Sequence, residues 1–142
     1  MTLEELCARE AIRDLLARYN HAGDRGRLDE LVRCFAEDGV MGLDDVAPLA
    51  GRAAIEAHLR SVAERLAAGT RRATLRHHVS SVRIALSDAE HAEAWSYFSV
   101  FTEIGLDHWG RYADRLVRRG DMWLFALRRV RLDGAAAGSR VR

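Results

Sequence analysis

The sequence contains no lysine, because all 22 of its basic residues are arginine. A Schiff-base lysine, a P-loop lysine and a lysine general base are therefore excluded. The 21 acidic residues leave a formal charge of only +1. Proteins that bind phosphate backbones usually carry a strong positive excess, so we expect no nucleic-acid partner.

Cysteine and long apolar runs are scarce as well. The two cysteines, Cys7 and Cys34, lack CxxC spacing and fall in helical apolar patterns, which predicts two buried free thiols. No apolar run approaches the roughly 18 residues that cross a membrane, and the N-terminus lacks the basic start of a signal peptide. We therefore expect a cytoplasmic protein without a membrane partner.

The length of the chain fits one domain. A chain of 142 residues with 49% hydrophobic content can bury a single core. We assign residues 1–133 to that domain. Residues 134–142 are small and polar, which predicts a disordered tail.

The first half has helical periodicity. Thr2 and Glu5 match a capping box, and apolar residues then recur every three or four positions as far as Tyr19, whose ring should face the core. Two further helices are predicted over residues 27–35 and 51–69. Between them, residues 37–50 indicate a loop around a short strand at Val40 and Met41.

The second half has strand periodicity. Four strands are predicted over residues 75–86, 93–104, 109–118 and 122–132, with short turns between them as in antiparallel hairpins. Helices followed by a curled meander indicate the α+β class. Arginine pairs such as Arg128-Arg129 are typical of solvated strand edges, although one arginine could pair with Asp114.

Three residues are candidates for acid/base chemistry: Tyr19, Asp24 and His77. A phenol, a carboxylate and an imidazole can polarise a carbonyl and move a proton without a metal, a nucleotide or a covalent intermediate. Each also has a structural alternative. Tyr19 could be core packing, Asp24 could cap the second helix, and His77 could lie on the strand surface.

The orientation of His77 depends on the register of its strand. His78 shares parity with Val82, Ile84 and Leu86, so a regular strand would point His78, not His77, to the apolar face. A bulge at Ser80-Ser81 would return His77 to that face. Adjacent strand residues point to opposite faces and are poor ligands for one metal; His108 and Asp107 are the other candidates for such a site.

Aromatic residues cluster in the two central predicted strands and suggest an apolar cavity for a ring-containing ligand. An alternative is that some of them are core and others form a dimer face. We predict that the substrate-binding residues are Trp95, Tyr97, Phe101, Trp109 and Tyr112.

Several stretches resemble one known group. The most specific is Gly110-Arg111-Tyr112-Ala113-Asp114, followed by the run from residue 120 to 130. Supporting stretches lie at residues 19–38, 51–55 and 76–80. Over residues 3–133 the chain resembles the nuclear-transport-factor-two-like superfamily and, within it, the SnoaL-like and scytalone-dehydratase-like branch.

The resemblance implies a cone-shaped cup, in which three N-terminal helices pack on a strongly curved, mainly antiparallel sheet. In dehydratase-like members a tyrosine and an aspartate from the first helix and its turn meet a histidine from the strand after the third helix. Tyr19, Asp24 and His77 fall at these positions. The ketosteroid isomerase pattern would instead use Asp44 or Asp45 with a later acidic partner such as Glu103, and it fits less well.

The predicted function is that of a cofactor-independent acid/base enzyme, a dehydratase or an isomerase/cyclase. Its substrate would be a hydroxylated cyclic, polyketide-like or steroid-like small molecule. His77 would be the general base, Asp24 would orient it, and Tyr19 would donate a hydrogen bond to the developing oxyanion. The alternative is a non-catalytic ligand-binding or scaffolding cup. An exposed sheet face also predicts a homodimer or a higher homo-oligomer.

Overall fold

The computed structural model describes residues 1–68 and 74–141. Helix α1 spans Leu3–Asp24, α2 spans Leu28–Val32 and α3 spans Arg52–Ala67. The Thr2 hydroxyl accepts a hydrogen bond from the Glu5 backbone N–H, and the Glu5 carboxylate accepts one from the Thr2 N–H. This confirms the predicted capping box, which satisfies amides at the start of α1. No helix in these ranges is long and apolar enough to span a bilayer.

The strands form one curved mixed sheet. Their bounds are β1 Phe35–Gly42, β2 Leu49–Ala50, β3 Arg76–Leu86, β4 His91–Thr102, β5 Gly105–Arg119 and β6 Met122–Ala135. The order across the sheet is β2-β1-β6-β5-β4-β3. Strand β1 runs parallel to β6, and the other neighbours are antiparallel. The predicted α+β class and the four predicted hairpin strands are confirmed.

The short strand predicted at Val40 and Met41 is confirmed, but it is longer than expected, so the loop predicted around it is wrong in its first half. Residues 35–42 form β1, which pairs with β6 through Val40↔Leu127 and Met41↔Arg128. Glycine at position 39 is required there, because a Cβ atom would lie 2.8 Å from the Phe125 carbonyl oxygen. Helix α2 is also shorter than predicted, since residues 33–35 leave the helix to enter β1.

The core fills the space between α1, α2, α3 and the inner face of the sheet. Helix α1 contributes a buried stripe that ends near Tyr19, as predicted. The sheet contributes alternate residues, of which β4 gives Ala92, Ala94, Ser96, Phe98 and Val100. Of the two cysteines, Cys34 is buried as predicted, but Cys7 is exposed.

The C-terminal segment differs from the predicted disordered tail. Residues 134 and 135 belong to β6, and the Ala136 N–H donates a hydrogen bond to the Asp107 carbonyl. Ser139 is only 8% exposed. The prediction rested on composition alone. It could not include the hydrogen bonds that this segment makes with Asp107 of β5.

Candidate functional site

Asp24 and His77 are in direct contact. The Asp24 Oδ1 atom lies 2.5 Å from His77 Nδ1, and Asp24 Oδ2 accepts a hydrogen bond of 2.9 Å from the His77 backbone N–H. Asp24 is the last residue of α1, and His77 is the second residue of β3. Their side chains are 10% and 19% exposed, so the pair is sheltered but reachable from solvent.

The contact fixes the tautomer of the imidazole. An ionised carboxylate can only accept hydrogen bonds, so His77 Nδ1 must carry the proton. In the neutral ring the other nitrogen, Nε2, is then the unprotonated one and can act as a base. Asp24 does not cap α2, because that helix begins after Arg27 without a side-chain capping bond. The capping alternative is therefore wrong.

A bulge in β3 turns His77 toward the core. The pairing with β4 shifts between Ser80↔Tyr97 and Arg83↔Trp95, and Ser81 has a φ of 50°. The extra residue reverses the alternation, so that His77 shares the inner face with Ile84 while His78 is exposed. Of the two registers considered from the sequence, the one with a bulge at Ser80-Ser81 is observed.

A second histidine–aspartate pair lies beside the first. The His108 Nδ1 atom is 2.8 Å from Asp107 Oδ1, and their side chains are 12% and 3% exposed. A bulge in β5 explains why neighbouring residues both avoid solvent: the pairing shifts between Val100↔His108 and Phe101↔Leu106, which leaves Asp107 as the extra residue. Sequence reasoning considered this pair only as metal ligands, because the pattern gave no sign of the bulge.

The two histidine rings are neighbours on the inner face of the sheet. Their centroids are 6.5 Å apart, and the Phe98 ring lies 6.2 Å from His77 and 6.4 Å from His108. Phe98 in turn stacks on Tyr112 at 4.7 Å. The arrangement provides two imidazoles on an aromatic floor. Within residues 1–68 and 74–141, no group of three histidine, cysteine, aspartate or glutamate side chains could hold a metal ion.

Tyr19 lies deeper in the core. Its ring contacts Phe35, Phe125 and Tyr112, with centroid distances of 6.2, 5.6 and 6.2 Å, and the Arg128 guanidinium lies 4.2 Å from its centroid. Burial raises the pKa of Tyr19 against the opposing effect of Arg128, so the phenol stays protonated and can donate a hydrogen bond.

Arg128 is the fully buried centre of this cluster. Its Nε and Nη2 atoms donate to the two carboxylate oxygens of Asp114 at 2.9 and 3.1 Å, and both side chains are 0% exposed. The predicted pairing of an arginine with Asp114 is confirmed, but Arg128 is not solvated. Burial alone would lower the pKa of Arg128, but Asp114 and the two tyrosines raise it by a larger amount. The net pKa is raised, so the guanidinium stays charged.

Some buried polar atoms near Arg128 have no hydrogen-bond partner among the described residues. They are Arg128 Nη1, Asn20 Nδ2 and Ser96 Oγ. Asn20 uses its other amide atom, because Oδ1 accepts a bond of 3.3 Å from the Tyr112 hydroxyl. The interior beyond Phe98 is therefore polar as well as aromatic.

Most of the predicted substrate-binding residues point away from the inner face of the sheet, where the histidines lie. The exposed fractions of Trp95, Tyr97, Phe101 and Trp109 range from 38% to 59%, because they alternate with the buried residues of β4 and β5. They lie on the outer face, so the prediction that they line the cup is wrong. Only Tyr112, which is 3% exposed, faces inward.

The residues of the ketosteroid isomerase alternative lie elsewhere. Asp44 is exposed and accepts a hydrogen bond of 3.3 Å from the Leu132 backbone N–H. Asp45 is exposed in the same loop, and Glu103 is an exposed partner of Arg140 at 3.0 Å. These contacts place the three carboxylates at the sheet margin.

Two open grooves in the described part of the chain lie away from the histidine pair. One, of about 750 Å³, runs between the start of α1 and the β3–β4 and β5–β6 turns. Another, of about 650 Å³, crosses the outer sheet face beside Trp95 and Tyr97, and its basic residues are Arg83, Arg111, Arg129 and Arg131. Neither groove is lined by Asp24 or His77.

Solved structures share this fold. A protein from Novosphingobium aromaticivorans DSM 12444, provisionally named a scytalone dehydratase, matches with a TM-score of 0.82 and 23% identity over 96% of this chain and 91% of that one. The protein Aln2 from a Streptomyces species matches with a TM-score of 0.78 and 21% identity over 89% and 91%. At these identities the similarity shows the fold alone.

A protein from Catenulispora acidiphila in complex with S-DNPA is more similar in sequence. It is 28% identical over 89% of this chain and 93% of that one, with a TM-score of 0.77. No curated protein sequence matches the chain significantly. The sequence profile of the SnoaL-like domain matches residues 4–129, which include Asp24, His77 and His108. With this match over most of its length, the chain belongs to the SnoaL-like domain family.

Proposed function

We propose that the protein is a cofactor-independent acid/base enzyme of the dehydratase or isomerase/cyclase type. The observation that carries the proposal is the 2.5 Å contact between Asp24 and His77 Nδ1. In the neutral ring this contact leaves Nε2 as the unprotonated nitrogen, and an imidazole is the side chain best suited to exchange protons at neutral pH. The second Asp24 oxygen is held by the His77 backbone, so the carboxylate cannot rotate away without losing both contacts.

His77 Nε2 removes a proton from a carbon next to a carbonyl or next to a leaving hydroxyl. Asp24 then stabilises the imidazolium that forms. His108 is the partner acid in its imidazolium form, in which Nδ1–H is bonded to Asp107 and Nε2–H gives a proton to the leaving or carbonyl oxygen. Its ring lies 6.5 Å from that of His77, so the two imidazoles are close enough to act on one substrate. Tyr19 supports an oxygen deeper in the cup as a hydrogen-bond donor. None of these steps requires a metal or a nucleotide.

The proposed substrate is a hydroxylated cyclic molecule of polyketide-like or steroid-like type. The aromatic floor formed by Phe98 and Tyr112 offers ring faces to such a molecule. The S-DNPA complex of the 28% identical relative supports binding of a small molecule in this fold.

The test is turnover of a panel of hydroxylated cyclic ketones by the full chain and its variants. We expect His77→Ala to lower kcat/KM by about 10² to 10⁴, the usual contribution of a general base. His78→Ala is the matched control, because its side chain is adjacent but exposed. Circular dichroism checks that each variant is folded. Full activity of His77→Ala on a confirmed substrate would refute the assignment of the base.

A second experiment tests Asp24 separately. Asp24→Asn keeps the shape but supplies an amide that can also donate to Nδ1, so the tautomer is no longer fixed, and we expect at least a tenfold loss of kcat. Asp88→Asn is its control, since Asp88 makes a similar 3.0 Å contact with His91 in an exposed turn. Equal effects of the two substitutions would show that the Asp24 contact has no special role.

The second candidate is a non-catalytic cup that binds a small ligand or serves as a scaffold. It is favoured by the filled interior, where Tyr19, Tyr112 and Phe125 contact Arg128 and Phe35 packs against two of these rings. Calorimetric titration with the same panel separates the two candidates. Binding without conversion, with His77→Ala changing only affinity, would support this alternative.

We also propose that the outer sheet face forms a homodimer. Trp95, Tyr97, Phe101 and Trp109 are exposed side by side on β4 and β5, and such an aromatic surface is unfavourable in water. Light scattering coupled to gel filtration should give twice the monomer mass at micromolar concentration. Trp95→Glu should yield monomers, whereas Val46→Glu in an exposed loop should not. A monomeric parent chain would contradict the proposal.

A further inference from the structure

The segment that follows β6 returns to the second histidine pair. The Ala136 N–H donates to the Asp107 carbonyl at 2.7 Å, and the Ser139 hydroxyl donates to Asp107 Oδ1 at 2.5 Å. The Val141 N–H donates to Ser139 Oγ at 3.2 Å, and the Ser139 N–H donates to the Ala136 carbonyl at 3.1 Å. Ser139 is therefore held from both sides of the turn while its proton points at Asp107.

Asp107 receives three side-chain donors. Thr102 Oγ1 donates to Oδ2 at 3.1 Å, while Ser139 and the His108 Nδ1–H share Oδ1. Burial acts to raise the pKa of Asp107, but the hydrogen bonds from Ser139, His108 and Thr102 outweigh it and hold the pKa below its ordinary value. The carboxylate is thus ionised and immobilised, although the residue is only 2% exposed.

We propose that Ser139 is a positioning residue for His108 and acts through Asp107. By bonding the same oxygen as the imidazole, Ser139 holds the carboxylate in the orientation that accepts the Nδ1–H, so that Nε2 is the ring nitrogen left for proton transfer. The contact of residues 136–141 with Asp107 thereby determines the tautomer of His108, the second proton-transfer group. The catalytic meaning of this inference rests on the proposed function, but the geometry does not.

A purely structural role for Ser139 makes a different prediction. If the serine only fastened the chain end, its removal would lower stability without changing the His108 ring. If it positions Asp107, its removal leaves the carboxylate with Thr102 on Oδ2 and the imidazole itself on Oδ1. Thr102 is then the only fixed donor outside the His108 ring that opposes rotation about the Cβ–Cγ bond. The Nδ1–H tautomer of His108 should then lose its preference.

The test is long-range ¹H–¹⁵N correlation spectroscopy of the histidine rings in the full-length, ¹⁵N-labelled protein. His108 and His77 signals are assigned with His108→Gln and His77→Gln. We expect one Nδ1–H tautomer for His108 in the parent protein and averaged ring shifts in Ser139→Ala. Ser139→Thr should restore the parent pattern, and Ser87→Ala, an exposed turn serine, should leave it unchanged.

The His77 ring is the internal reference, because its partner is Asp24. Unchanged His108 shifts in Ser139→Ala would overturn the inference. If that variant is too unstable to measure, Ser139→Cys replaces it, since a thiol keeps the volume but is a weak donor. Averaged shifts in Ser139→Cys support the inference, and parent-like shifts overturn it.

This measurement needs no substrate, so it is independent of the proposed function. Loss of the proposed function would leave the spectroscopic result standing, and unchanged His108 shifts would leave the role of His77 untouched. With a substrate in hand, we expect Ser139→Ala to lower kcat by about tenfold with little change in KM, because it loosens an acid that typically contributes roughly 10² or more.

Discussion

Removing the counter-charge of Arg128 should destabilise the protein more than any other single charge change on the sheet. In Asp114→Asn the side-chain shape is kept, but the guanidinium stays buried without a negative partner. At an effective dielectric of about 20, unit charges about 3 Å apart attract by roughly 5 kcal/mol. The asparagine oxygen retains part of one hydrogen bond, so we expect a loss of about 3–5 kcal/mol in the free energy of unfolding.

Urea denaturation followed by circular dichroism measures this loss. With an m-value of about 2 kcal/mol per M, the midpoint should fall by about 2 M. The matched control is Asp133→Asn, which breaks the Arg111–Asp133 pair on the same sheet at 3.2 Å, where the side chains are 50% and 38% exposed. That pair should contribute less than about 1 kcal/mol.

Replacing both Arg128 and Asp114 separates two effects: the attraction between the charges and the cost of burying them. Arg128→Met combined with Asp114→Leu removes both buried charges, so it should be more stable than Asp114→Asn alone. The aromatic rings that contact the guanidinium at 3.7 to 4.3 Å would then pack on the methionine. If Asp114→Asn and Asp133→Asn shift the midpoint equally, the reasoning about the buried pair is refuted.

Further predictions concern packing, thiols and alkaline pH. Gly110→Ala should lower the free energy of unfolding by about 1–3 kcal/mol in thermal denaturation, because its Cβ atom would lie 2.0 Å from a backbone carbonyl oxygen; an unchanged melting temperature would contradict this. A thiol reagent should modify exposed Cys7 in the native protein, whereas Cys34, whose thiol pKa is raised by burial, should react only after unfolding; equal rates would oppose this. Burial raises the pKa of Tyr19 and Tyr112 in the folded state. The unfolded chain therefore loses these protons first, and the free energy of unfolding should fall as pH rises above about 10. Urea midpoints that stay constant from about pH 8 to 11 would contradict this.

The sequence predicted those parts of the fold whose hydrophobic period is long and regular. The stripe of α1 and the alternation in the hairpin strands led to the correct class and to nearly correct bounds. Strand β1 was predicted only as a short strand at Val40 and Met41, because its full length depends on parallel pairing with β6, which lies far along the chain, and not on its own glycine-containing sequence. Local patterns carry no information about such a distant partner.

The candidate site was predictable only in part, for the same reason. The contact of Asp24 with His77 followed from the resemblance together with a proposed bulge at Ser80-Ser81. The aromatic residues were assigned to the wrong face because clustering was weighed above parity: Trp95 and Tyr97 differ by two positions and must share the face opposite Ser96 and Phe98. The His108 pair depended on a second bulge, which has no sequence pattern of its own.

The bulge in β5 also governs what insertions and deletions would do here. Deleting Asp107 would restore regular alternation and leave the pairs Val100↔His108 and Phe101↔Leu106 in place, so the flanking side chains would keep their faces. The strand would lose the carboxylate that contacts His108, Thr102 and Ser139. A relative that lacks this one residue would keep the fold yet present a different chemical surface to its ligand. In a sequence alignment of this family, a one-residue gap at this position would therefore indicate a change in reactivity. Strand residues of relatives are best aligned by counting from the histidines, not from the strand ends.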